Sequence, residues 1–149
     1  MARVEVAYIL STALCFSREQ WFCYLHSLVM LPLIDLRLRR HGLAYTRRWL
    51  RQRAGEVASA PANPIEYGRQ MAAAVSAASC RTLWPVSCLR QALWLQTLLA
   101  RVGVAGELKL GVDQSALPNM EAHAWIEVDG VVVIGGATSP HQYSSFGSV

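Results

Sequence analysis

The segment AHAWIEVDGVVVIGG, residues 122–136, restricts the fold more than any other part of the chain. Ala122, Ala124, Ile126 and Val128 alternate with His123, Trp125 and Glu127, the period-two pattern of a strand with two unlike faces. Asp129-Gly130 is a two-residue turn of the kind whose backbone needs positive φ at both positions, so Val131–Ile134 reads as the returning strand of a hairpin. Upstream, Leu108, Leu110 and Val112 alternate with Glu107, Lys109 and Gly111 and predict another half-buried strand, followed by a loop over 113–119.

The residues before these strands read as helix or linker. A helical stretch is expected over 2–16. A second, over 19–40, repeats Phe22, Leu25, Val29, Leu33 and Leu36 every three to four residues. Pro32 is expected to kink or end it, and Gly42 to stop it before a short basic helix at 44–53. The Ala-, Pro- and Gly-rich run at 53–68 is the linker candidate, and 69–79 a further helix. Pro85 breaks that helix, and a new one opens at Cys88 with Leu89, Ala92, Leu93, Leu95, Leu99 and Val102 apolar before the stop at Gly103. The expected organisation is a helical region at 1–53, a linker at 54–68 and a core at 69–149. The fold class is α+β, with the helix that opens at Cys88 packed on a small antiparallel sheet.

Composition narrows what such a chain does. Of 149 residues 53% are hydrophobic and 16% charged, enough to build a core and too apolar for disorder. The net charge of +4 belongs to the helical region, where Arg37, Arg39, Arg40, Arg47, Arg48, Arg51 and Arg53 cluster; Lys109 is the only lysine. That run reads as a solvated face, or as a surface for an acidic protein or a membrane, and no nucleic-acid partner is expected. Arg18, Glu19 and Gln20 interrupt the apolar stretch from Val6 to Leu38, so no transmembrane segment and no signal peptide are expected. Cys15, Cys23, Cys80 and Cys88 include no CxxC pair, which argues against a zinc ribbon or a thioredoxin motif and for reduced thiols in the cytoplasm. No phosphate-binding glycine loop is present, and neither cofactor nor metal is implied.

Two residues stand out chemically. Cys88 opens a helix, where unpaired first-turn N–H groups and the helix dipole favour a thiolate. His123, 35 residues later on a strand, is of the type that lowers a thiol pKa further and then acts as general acid. Spacing alone leaves open a small core cysteine and a satisfied surface histidine. The stretches CLRQALWLQTLLARVGVAGELKLGVD (88–113) and EAHAWIEVDGVVVIGG (121–136) shift the balance. Cys88-Leu89, Arg101-Val102-Gly103, Gly111-Val112 and His123-Ala124-Trp125-Ile126-Glu127, in that order, resemble the transglutaminase-like peptidase family of lasso-peptide biosynthesis. The resemblance implies a papain/transglutaminase-like core in which Cys88 and His123 are catalytic. It implies a cysteine peptidase that removes the leader of a ribosomal precursor peptide, ahead of a separate asparagine-synthetase-like cyclase.

Related triads carry an Asp on the strand after the histidine. If Val128 pairs with Val131, His123 lies opposite Gly136, and Gly135-Gly136 occupy the place where that Asp is expected. Asp129 is the candidate third member, although it sits in the turn; a backbone carbonyl or Asn119 is the alternative, as is a plain Cys–His dyad. Trp125 and Glu127, on the His123 face, are the substrate-binding candidates, with packing as the alternative for Trp125. Water as acceptor gives a peptidase, an amine gives a transglutaminase-like acyltransferase, and loss of activity gives a scaffold of the same fold. The family's leader-recognition domain is either fused ahead of the peptidase or made separately. No alternating strands precede residue 80, so a separate leader-recognition protein is expected, docking near Phe22, Leu25 and Val29.

Overall fold

The computed structural model describes residues 16–55, 59–83, 85–113, 122–135 and 143–148. The helix expected over 2–16, together with Cys15, Trp84, Asn119, Glu121 and His141, lies outside these residues almost entirely.

Helix α1, Arg18–Ala54, starts at a capping box: Ser17 Oγ accepts from the Gln20 amide (3.2 Å), and the Gln20 side chain accepts from the Ser17 amide (2.9 Å). Pro32 lies inside this helix and does not end it. The Leu28 carbonyl forfeits one hydrogen bond there, while Met30, Leu31 and Ile34 are buried on either side. The real break is Gly42, whose φ of +75° interrupts the helical dihedrals, so the expected basic helix is the second limb of a kinked element. By length and composition α1 could cross a membrane, its best window reaching a mean hydropathy of 1.3, yet 33% of that window is buried inside the fold. Its outward side shows Phe22, Leu25, Val29 and Leu36 to solvent.

Helix α2, Pro64–Ser79, begins within the expected linker. Asn63 caps it by accepting from the Glu66 amide (3.1 Å), and Pro64 takes the first helical position, where its missing N–H costs nothing. A composition that reads as linker is thus also a helix start. Helix α3, Cys88–Arg101, follows. Strands β1 (Gly106–Asp113), β2 (Ala122–Val128), β3 (Val131–Ile134) and β4 (Tyr143–Ser148) form an antiparallel sheet in the order β3-β2-β1-β4. Strand β4 was not expected: YSSFGS has no apolar alternation, and its ladder with β1 is what makes it a strand. The α+β class, helices on a small antiparallel sheet, is the observed architecture.

One hydrophobic core runs through all of this. Leu31, Ile34 and Leu50 of α1 share a cluster with Val75 of α2, Leu93 and Leu95 of α3 and Ile126 of β2. The helical region and the expected core are therefore one packed body. Two buried polar ties fix α1 against α3. Trp94 Nε1 donates to Ser27 Oγ at 2.8 Å, and Ser27 Oγ donates to the Cys23 carbonyl at 2.7 Å. Asp35, 7% exposed, accepts from Arg39 Nε (3.0 Å) and pairs with Arg90 Nη2 (2.7 Å). Ser27 meets Trp94 and Asp35 meets Arg90, so the two helices run antiparallel. Arg90 Nη1 also donates to the Pro85 carbonyl at 3.1 Å, holding the segment that leads into Cys88.

Removing one partner of a buried ion pair strands the other charge. Asp35→Ala is expected to lower the unfolding free energy by about 3 kcal/mol or more, read from a urea titration. Arg39→Ala, at the exposed arm of the same cluster, is expected to cost well under half of that.

Candidate active site

The site is assembled at one end of the α3–sheet layer. Gln96 Nε2 donates to the Gly106 carbonyl at 2.8 Å, and a Cβ at Gly106 would lie 2.9 Å from Leu99 Cδ1 and 3.3 Å from Ile126 Cγ2. The C-terminal half of α3 therefore sits over the end of the sheet where Gly106 pairs with Val128. Fourteen residues at 1.5 Å each carry the helix about 20 Å back to Cys88. Over a similar length β1 and β2 run to the end where Gly111 pairs with His123. Ser76, 3.5 Å from Gln91 one turn into α3, lines a groove with Gly135, whose carbonyl binds His123, so the Cys88 end of α3 and His123 lie toward the same side.

Cys88 is the first residue of α3 and is half-buried. Ser87 precedes it in extended conformation and makes no side-chain cap; its carbonyl accepts from the Arg90 and Gln91 amides, which leaves the Cys88 and Leu89 amides to face a charge at the thiol. Cys23 is the contrast: it is buried against Ser27 and Met71, and burial pushes its thiol up to about 11, only partly offset by the Ser27 hydrogen bond. Cys80 is exposed just after α2.

His123 is the second residue of β2. Its ring stacks on Trp125, with centroids 6.3 Å apart and planes at 25°. By alternation both belong to the outer face, while Ala124, Ile126 and Val128 face the helices and join the core. His123 Nε2 hydrogen-bonds the Gly135 carbonyl. A carbonyl only accepts, so Nε2 carries the proton, and Nδ1 is the basic nitrogen of the neutral ring.

The route to that carbonyl is a β-bulge. Val128 pairs with Val131 and Glu127 with Val132, as the sequence register requires, but Ile126 pairs with Ile134. Val133 is the extra residue. The register slips by one beyond Val132; the expected opposition of His123 and Gly136 falls on a residue outside the described ones. Gly135 has φ +87°, and a Cβ there would sit 2.5 Å from the Ala124 carbonyl oxygen and 2.8 Å from Trp125 Cβ. An Asp at 135 has no room.

Asp129 is corrected as third member. It lies in the hairpin turn with φ +50°, six strand residues or about 20 Å from His123. Trp125 and Glu127, the substrate-binding candidates, lie next to each other on the His123 side of β2. Trp125 is 5% exposed, and its Nε1 donates to Glu127 Oε1 at 2.8 Å. They are a bonded pair on the outer face. Sequence reasoning named a backbone carbonyl as one possible orienter without placing it; only the Gly135-Gly136 doublet marked the spot. Nothing in the sequence pointed to Asp35 or Arg90. Among the described residues no group of acidic, His or Cys side chains could hold a metal.

A thiol at a helix start and an imidazole at the matching end of an antiparallel sheet define a class of cysteine-dependent acyl-transfer folds. The transglutaminase-like superfamily model matches residues 30–148, and the chain belongs to that superfamily, which covers cysteine peptidase and acyltransferase activity. No curated protein and no solved structure matches the chain. The match begins at residue 30, inside α1, in keeping with the core that α1 shares with the sheet.

Gly135→Ala is expected to push β3 away from Ala124 and Trp125 and withdraw the carbonyl from His123. The melting temperature should fall by several degrees, and the His123 ring resonances in an NMR spectrum should move as the hydrogen bond is lost. Gly130→Ala, where nothing lies within 4 Å of an added Cβ, should leave the His123 ring resonances in place despite the strain of its φ of +76°.

Proposed function

We propose that the chain is a cysteine peptidase that removes the leader from a ribosomally made lasso-peptide precursor before macrolactam closure. The observation that carries the reading is the placement of Cys88 at an uncapped helix start, at the same end of the layer as a histidine whose Nε2 is held by a carbonyl. The ordered motifs around Cys88 and His123 supply the substrate class.

In this reading Nδ1 of His123 takes the Cys88 proton, and the thiolate adds to the scissile carbonyl. First-turn amides of α3 stabilise the oxyanion. The C–N bond breaks as the imidazolium protonates the leaving amine, and water, deprotonated by the same nitrogen, releases the acyl group and regenerates the thiol. An amine in place of water would make the same acyl-enzyme a transglutaminase-like acyltransferase. The acyl acceptor distinguishes the two.

Cys88→Ala is expected to reduce cleavage of a precursor peptide by several powers of ten, followed by mass spectrometry, with an unchanged melting temperature. Cys23→Ala and Cys80→Ala should retain most of the rate. His123→Ala should also slow iodoacetamide alkylation of Cys88 at pH 7. Normal cleavage by Cys88→Ala would end this reading.

We further propose that the chain works with a separate leader-recognition protein and with the cyclase, docking through the exposed Phe22, Leu25 and Val29 of α1. Cleavage by the purified chain alone should be slow and should rise strongly when the recognition protein is added; Phe22→Glu should blunt that rise. Equal rates with and without the recognition protein would remove the docking proposal.

A further inference from the structure

A groove of about 430 Å³ lies between α2 and β3, lined by Arg69, Ala72, Ala73 and Ser76 on one wall and by Val132 to Gly135 on the other. The helix wall is a single i, i+3, i+4, i+7 stripe, floored by alanines and polar at both ends. The strand wall consists of four consecutive residues. Val133 faces α2 at Gly68, and Gly135 ends the wall. Strand β3 is an edge of the sheet among the described residues, and an edge strand presents backbone N–H and C=O groups away from its neighbour.

Both walls lead toward the proposed chemistry. Ser76 Oγ lies 3.5 Å from Gln91 Oε1, and Gln91 is one helical turn from Cys88 and reaches back to the Val86 carbonyl. Gly135, at the end of the other wall, carries the carbonyl bound to His123. We infer that this groove holds the acyl side of the substrate, the residues N-terminal to the scissile carbonyl, as an extended strand added to the edge of β3. The inference rests on the reading of Cys88 as nucleophile and adds where the peptide lies and what it must look like.

The walls set the chemistry of that peptide. Its backbone pairs with β3, the mode in which main-chain hydrogen bonds give affinity and side-chain pockets give selectivity. Ala72 and Ala73 bring only methyl groups to the floor, so small residues next to the scissile bond can lie close against α2. Arg69 stands seven helical residues, about 10 Å, from Ser76, the span of roughly three extended residues. An acidic side chain at the third residue before the scissile bond would meet its guanidinium. Holding the acyl side also keeps the thioester intermediate in place while the amine departs.

The test uses affinity labels on the full chain: acetyl-Asp-Ala-Ala-chloromethyl ketone, its Lys-Ala-Ala counterpart, and iodoacetamide as a reagent too small to need the groove. Mass spectrometry follows labelling of Cys88. The Asp label is expected to react about tenfold faster than the Lys label, and Arg69→Glu should abolish or reverse that preference. Ala73→Leu should slow both tripeptide labels about tenfold or more while leaving the iodoacetamide rate unchanged, which also reports that the variant is folded. Amides of Val132 to Gly135 should exchange more slowly in the Asp-labelled chain. Tripeptide rates that follow iodoacetamide in every variant would overturn the groove while leaving Cys88 as a reactive thiol. A Cys88 that none of the three reagents labels would overturn the nucleophile and the groove together.

Discussion

The Asp35 carboxylate governs the arrangement of the helices. A charge taken out of water has to be met by partners in good geometry, and Asp35 finds them in Arg39 of its own helix and Arg90 of α3. That requirement permits few placements of α1 against α3. Because Arg90 also binds the Pro85 carbonyl, it fixes the direction from which the chain enters the nucleophile helix. The Trp94–Ser27 hydrogen bond, one turn further along α3, sets the same alignment from inside the core. The end of α3 that carries Cys88 is thus defined by contacts on the far side of the helix from the sheet.

Local periodicity made much of this legible. The alternation around His123 and the Asp129-Gly130 turn located β2 and β3 to the residue, and the 3.6-residue pattern after Cys88 located α3. Gly42 as a break was readable for the same reason: only its backbone conformation is at issue. What stayed hidden depends on contacts distant in sequence. Pro32 remains inside α1 because packing on both sides outweighs one lost hydrogen bond. Strand β4 exists because β1 offers it an edge. Asp35, three residues after a proline in an apolar run, carries no mark of its partner 55 positions away.

The site was half legible. Residue type and order singled out Cys88 and His123, and Gly135-Gly136 showed that no carboxylate stands at those two positions. What replaces the carboxylate could not be read, since any residue owns a carbonyl. A carbonyl fixes the imidazole's tautomer without bringing a negative charge, unlike the aspartate of related triads.

The bulge at Val133 gives this arrangement a counting rule. In an unbroken strand, Val133 and Ile134 would point to opposite sides; the extra residue lets both face the helices, Val133 toward Gly68 and Ile134 into the core. It also turns Gly135 to the side of Trp125 and His123. The third position of the site is therefore specified by the parity of the chain between the turn and Gly135, not by which side chain stands there. Relatives that differ in almost every β3 residue could preserve the contact, whereas a relative shorter by one residue in that interval would lose it with every flanking motif intact.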